Sequence, residues 1–72
     1  MPEQFSTGAI KIIEIMGVSP TSFQDAIDEA VSKAAESINA ITGVEVIHQT
    51  ADVHDGKVSS YCITLKLSFI VN

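Results

Sequence analysis

The sequence predicts an α+β fold of order β-α-β-β, a three-stranded antiparallel sheet of order 1-3-2 curled around one helix. Three observations carry this. Residues 57–71 alternate cleanly, with Tyr61, Ile63, Leu65, Leu67, Phe69 and Val71 on one face and Ser60, Cys62, Thr64, Lys66 and Ser68 on the other. Asp55-Gly56 supplies a two-residue hairpin turn just before that run. Apolar residues between Phe23 and Ile41 recur at helical spacing. A helical crossover followed by a hairpin is satisfied most simply when the third strand lies in the centre.

Each element has its own local cause. Ala9 to Met16 is rich in β-branched isoleucine and reads as the first strand. Gly17-Val18-Ser19-Pro20-Thr21 is expected to break it and turn the chain toward the helix. Ser22 followed by Asp25 forms a capping-box-like start, with Thr21 and Gln24 as an alternative register. Phe23, Ala26, Ile27, Ala30, Val31, Ala34, Ile38 and Ile41 then make one apolar stripe, and the central alanines allow a sheet to come close. Asp25, Asp28, Glu29, Lys33 and Glu36 fall on the other side, with Glu29 and Lys33 spaced as an i,i+4 pair. Thr42-Gly43 is expected to end the helix, and Val44 to His54 to form the second strand.

The 72 residues make one domain, with 1–8 as a short N-terminal tail. A chain this small buries only about 60% of its unfolded surface when it folds alone. Yet 46% of its residues are hydrophobic and its mean hydropathy is +0.31. The single cysteine, Cys62, excludes an internal disulfide and fits a reducing compartment. The surplus of apolar residues therefore points to self-association. The strand phases say where: Ile10, Ile12 and Met16 oppose Ile13 and Ile15, and Val44 and Val46 oppose Ile47, Ala51 and Val53. Such mixed phases arise from a bulge or from a strand covered on both faces, and the composition favours the covered strand.

The charge balance excludes other partners. Nine acidic residues against four lysines give a net charge of −5, and arginine is absent. Phosphate contacts in nucleic-acid complexes come from Lys and Arg, so nucleic acid is not the expected partner, nor is an anionic membrane surface. The first eight residues lack the basic and apolar regions of a signal peptide, and the stretch from Ala9 to Val18 is too short to span a bilayer. A cytoplasmic, soluble protein is expected.

Little catalytic chemistry is visible. His48, Asp52 and His54 are all even-numbered on the second strand and would project from one face, as weak candidate metal ligands beside Asp55. A solvated polar edge leading into a turn is the favoured reading of these residues. The acidic helix shows none of the spaced oxygen ligands of an EF-hand loop, though a calcium contact between subunits stays open. Cys62 has no nearby histidine in sequence and reads as a small half-buried side chain. No phosphate-cradling glycine loop or Ser/His/Asp arrangement occurs, and no enzyme is expected.

Several strings, taken in order, resemble the dodecin family. Lys11-Ile12-Ile13-Glu14-Ile15 and Gly17-Val18-Ser19-Pro20-Thr21-Ser22-Phe23 look like its first strand and helix start. Ala26, Ala30 and Ala34, then Val44-Glu45-Val46, Asp55-Gly56-Lys57-Val58, Tyr61 and Thr64-Leu65-Lys66-Leu67-Ser68-Phe69 fit as well. The resemblance runs from about Ile10 to Val71 and implies a non-enzymatic subunit assembled twelve at a time into a hollow shell. It also implies flavin storage (riboflavin, FMN or FAD) in pockets between subunits, at positions matching Gly43, Glu45 and Cys62. Family members stack the flavin on a tryptophan where this chain has Gly43, and contact it through a glutamine where this chain has Cys62. The chain contains no tryptophan. Because the family tolerates tryptophan there, the resemblance also implies that position 43 needs no special glycine conformation. A calcium- or other ion-binding assembly without the flavin site is the alternative.

Overall fold

A computed structural model describes residues 8–71; the tail expected over 1–8 lies outside them save for Gly8. The elements are β1 (Ala9–Ser19), α1 (Phe23–Ala35), β2 (Ile41–His54) and β3 (Lys57–Val71). They form one antiparallel sheet of order β1-β3-β2, as the sequence predicts.

The alternation along β3 organises the subunit. Ile63, Leu65 and Leu67 are fully buried, and Ile63 and Leu65 pack with Ala26 and Ala30 of α1. Ile15, Phe23 and Ile27 close the edges of this small core. The Phe23 ring stands edge-on to Tyr61 with centroids 4.9 Å apart, tying the start of the helix to the central strand. The alanine stripe (Ala26, Ala30, Ala34) is the buried face of α1, so helix and sheet approach closely.

That approach explains why β1 runs further than expected. Gly17 does not break the strand: it pairs with Ile63, and β1 continues to Ser19 opposite Tyr61. A Cβ at Gly17 would overlap the Ala26 carbonyl oxygen and lie 2.9 Å from the Ala30 Cβ. The glycine is there to admit the helix.

Ser19, buried to 1% exposure, shapes the crossover. Its hydroxyl donates to Asp25 Oδ2 at 2.7 Å and accepts from the Thr21 amide at 2.9 Å. Ser22 is the N-cap, its Oγ accepting from the Asp25 amide at 3.0 Å. The Asp25 carboxylate is thus held by Ser19, one turn upstream of the expected box. Lys33 Nζ lies 3.8 Å from Glu36 Oε2, so its recorded partner is Glu36 rather than Glu29.

The helix ends earlier than the apolar spacing suggests. Glu36 is its C-cap, and Ile41 already belongs to β2 opposite Phe69. Ala40, not Gly43, takes the left-handed conformation (φ 61°) before the strand. Gly43 sits inside β2, beside Ser68. The Asp55-Gly56 turn is as expected, with φ of 52° and 75°, the paired positive values of a type I′ hairpin.

The mixed phases of β2 have a local geometric source. Its pairing with β3 slips between Ile41 and Gly43, between Val46 and His48, and between Asp52 and Val53. Bulges at these points re-aim the side chains. The opposed faces of β1, by contrast, occur in unbroken register.

Candidate functional site

The face of the sheet turned away from α1 carries the candidate site. Its composition follows from register, because paired residues share a face. Ile12, Ser68 and Gly43 form one row across β1, β3 and β2. Glu14, Lys66 and Glu45 form the next, then Met16, Thr64 and His48, then Val18, Cys62 and Thr50. Apart from Glu14, apolar side chains occupy the β1 edge of this face, and polar ones the β2 edge.

Where the first two rows meet, the missing side chain of Gly43 leaves a shallow recess of about 260 Å³. It is lined by Ile12, Gly43, Val44, Glu45, Lys66 and Ser68. An apolar wall with a few convergent polar groups is the usual character of a small-ligand site. Here those groups are a carboxylate, an ammonium and a hydroxyl. A Cβ on Gly43 would sit 3.1 Å from Ser68 Oγ, a side-chain tip that can rotate away. Its φ lies outside the left-handed region, so the backbone accepts any residue.

Of the expected pocket positions, Gly43 and Glu45 line the recess and Cys62 does not. Cys62 is half-buried on the same face, six residues along β3 from Ser68, or about 20 Å at 3.3 Å per residue. Sequence reading missed Ile12, Val44, Lys66 and Ser68 as wall residues. The alternation had already placed Lys66 and Ser68 on the polar face, but only the pairing register brings Ile12 and Gly43 to either side of Ser68.

The candidate metal ligands do not gather. His48 and Asp52 face the same side, opposite Thr64 and Ser60, but the slip after Asp52 interrupts the alternation before His54. Asp52 instead accepts a hydrogen bond from Ser60 Oγ at 3.1 Å, and exposed His54 lies 3.4 Å from Asp55. Among the described residues no three His, Cys, Asp or Glu side chains are placed to hold a metal ion. Nor is any helix among them long and apolar enough to cross a membrane.

The dodecin family model matches residues 9–72, the whole sheet and helix just described. The chain belongs to the dodecin family. It is 41% identical over 59 residues to the calcium dodecin of Mycobacterium tuberculosis, covering 82% of this chain and 83% of that protein. The crystal structure of that calcium dodecin, described as a calcium-chelating immunodominant antigen with a novel calcium-binding site, superposes with a TM-score of 0.80 at 39% identity. That match covers 90% of this chain and 93% of the other. The dodecin of Streptomyces coelicolor superposes with a TM-score of 0.91 at 26% identity, over 94% of this chain and 97% of the other. The strand order and crossover of this dodecin are therefore those of solved family members.

The recess holds no aromatic ring on which a flavin could stack, and among the described residues no cation ligand set is assembled. Within a single chain the residues present fit neither group.

Proposed function

We propose that this dodecin is the subunit of a non-catalytic homododecameric shell that sequesters a small ligand. The observation that carries this reading is the subunit's poor fit to life alone. Its radius of gyration is 14.6 Å, against about 11 Å for a compact 72-residue domain. Its accessible surface is 4962 Å², against about 4,300 Å² for a compact chain of 7.7 kDa. The excess of roughly 660 Å² is on the scale of one side of a modest protein interface. Among the described residues nine large apolar side chains are exposed, Ile12, Met16 and Val46 among them, so the uncovered surface is of the kind that associates. Reducing surroundings suit the lone thiol of Cys62, and the cytoplasm is the compartment proposed.

The ligand lies between subunits in this reading, with Gly43 and Glu45 on one side of the site and Cys62 reachable only from another copy. Flavin is one ligand class. Calcium is the second, favoured by the likeness to a calcium dodecin and by the net charge of −5. Two measurements on purified protein separate them. Quenching of riboflavin or FMN fluorescence at micromolar flavin supports flavin storage; an unchanged signal rejects it. A melting temperature that rises with calcium and falls with chelator supports the ion-binding shell, and indifference to both rejects it.

A further inference from the structure

The charges around the recess beside Gly43 bear on which ligand it accepts. Glu14, Lys66 and Glu45 stand in one cross-strand row, and Glu45 and Lys66 line the recess itself. Side chains directly opposite in an antiparallel sheet have Cβ atoms about 5 Å apart, so the ammonium stands between two carboxylates. Two glutamates and one lysine leave the row a net charge of −1. All three residues are exposed, so a ligand entering the recess meets their field.

Phosphate groups are held in proteins by arginine, by lysine or by the N-terminus of a helix. Arginine is absent from this chain. Of the lysines, Lys11 pairs with Phe69 on the helix side of the sheet, Lys33 belongs to α1 and Lys57 lies at the hairpin turn. Lys66 is the lysine at the recess, and it has a glutamate on either side. The N-terminus of α1 lies over the other face of the sheet, where Ala26 and Ala30 pack on Ile63 and Leu65. The recess offers instead the apolar Ile12 and Val44, the Ser68 hydroxyl and the Glu45 carboxylate. These groups suit an apolar body that carries hydroxyl donors.

Resting on the flavin-storage reading above, we propose that the Glu14–Lys66–Glu45 row selects an unphosphorylated, hydroxyl-bearing ligand, riboflavin rather than FMN. A phosphate monoester carries about −1.5 to −2 charges at pH 7. A dianion about 8 Å from a net charge of −1 in water is disfavoured by about fivefold. Salt removes that repulsion, because the screening length falls to about 3 Å at 1 M.

Fluorescence titration with riboflavin and with FMN, at low salt and at about 1 M salt, reads the ratio of the two affinities. A general loss of the pocket cancels in that ratio, so a purely structural role does not move it. The expected preference for riboflavin is about threefold to tenfold at low salt, shrinking toward none at high salt. Glu14→Gln combined with Glu45→Gln turns the row positive and should reverse the order at low salt, whereas Lys66→Gln should widen the preference. Where the wild-type chain binds neither flavin, the ratio in Gly43→Trp combined with Cys62→Gln decides. FMN binding as tight as riboflavin at low salt overturns the proposal, as does a ratio that ignores both salt and the glutamate substitutions. Failure of both proteins to bind either flavin overturns the flavin-storage reading and the proposal with it, and so is distinguishable from failure of the charge selection alone.

Discussion

Replacing Gly17 by alanine adds one methyl group at the closest approach of helix and sheet. The new Cβ would overlap the Ala26 carbonyl oxygen and lie 2.9 Å from the Ala30 Cβ, where carbon atoms normally rest about 3.5–4.0 Å apart. The helix must therefore retreat by more than half an ångström along its buried alanine face, loosening Ile63 and Leu65 beneath it. Overpacking of this kind costs about 1–3 kcal/mol, and a clash with backbone belongs at the upper end, about 2 kcal/mol or more. The opposing effect is known in sign and size. Gly→Ala restricts the unfolded chain and stabilises by about 0.4–1 kcal/mol where the native backbone accepts it. Gly17 has no positive φ, so the two effects compete cleanly and space decides. The net loss is then about 1–1.6 kcal/mol, and at about 4–8 °C per kcal/mol for a domain this small Tm should fall by roughly 4–13 °C. Thermal unfolding of both proteins at one fixed subunit concentration measures this, since association makes Tm concentration-dependent. An unchanged or raised Tm would refute the claim that Gly17 exists to admit α1.

Ser19→Ala removes the hydroxyl that holds Asp25 and the Thr21 amide in a buried crossover, and should cost about 1–3 kcal/mol in denaturant unfolding; a loss below the error of the midpoint would contradict that role. Gly43→Trp combined with Cys62→Gln should raise riboflavin affinity by about tenfold to a hundredfold, because aromatic stacking is worth about 1–3 kcal/mol per ring. Fluorescence titration reads the change, and no gain would show that these positions do not form the ligand site of the shell.

The parts of the fold that were legible in the sequence are those where one physical signal acts alone. Strand β3 has a polar and an apolar face and no competing pattern, so Ile63, Leu65 and Leu67 announce the core directly. Asp55-Gly56 admits few geometries besides a tight hairpin. The end of α1 was not legible, because Ile38 and Ile41 continue the helical spacing while Ile41 is held by pairing with Phe69. Gly43 looked like a helix terminator for the same reason. Gly17 looked like a strand breaker because a glycine demanded by close packing is indistinguishable, in sequence, from one demanded by a turn. In the sequence, bulges and covered faces both account for the mixed phases of β2, and the apolar composition favours covered faces. The register slips now account for the phases in β2, while the faces of β1 keep the argument for covering. In the candidate site, Gly43 and Glu45 follow from family resemblance, whereas the roles of Ile12, Lys66 and Ser68 needed the cross-strand register.

The central claim is that this chain does not work alone. Light scattering on the chromatographed protein measures it most directly. A particle of about twelve times the 7.7 kDa subunit is the predicted result. A folded species near the mass of one subunit would contradict the account, because the exposed apolar side chains of β1 and β2 would then have no partner to cover them.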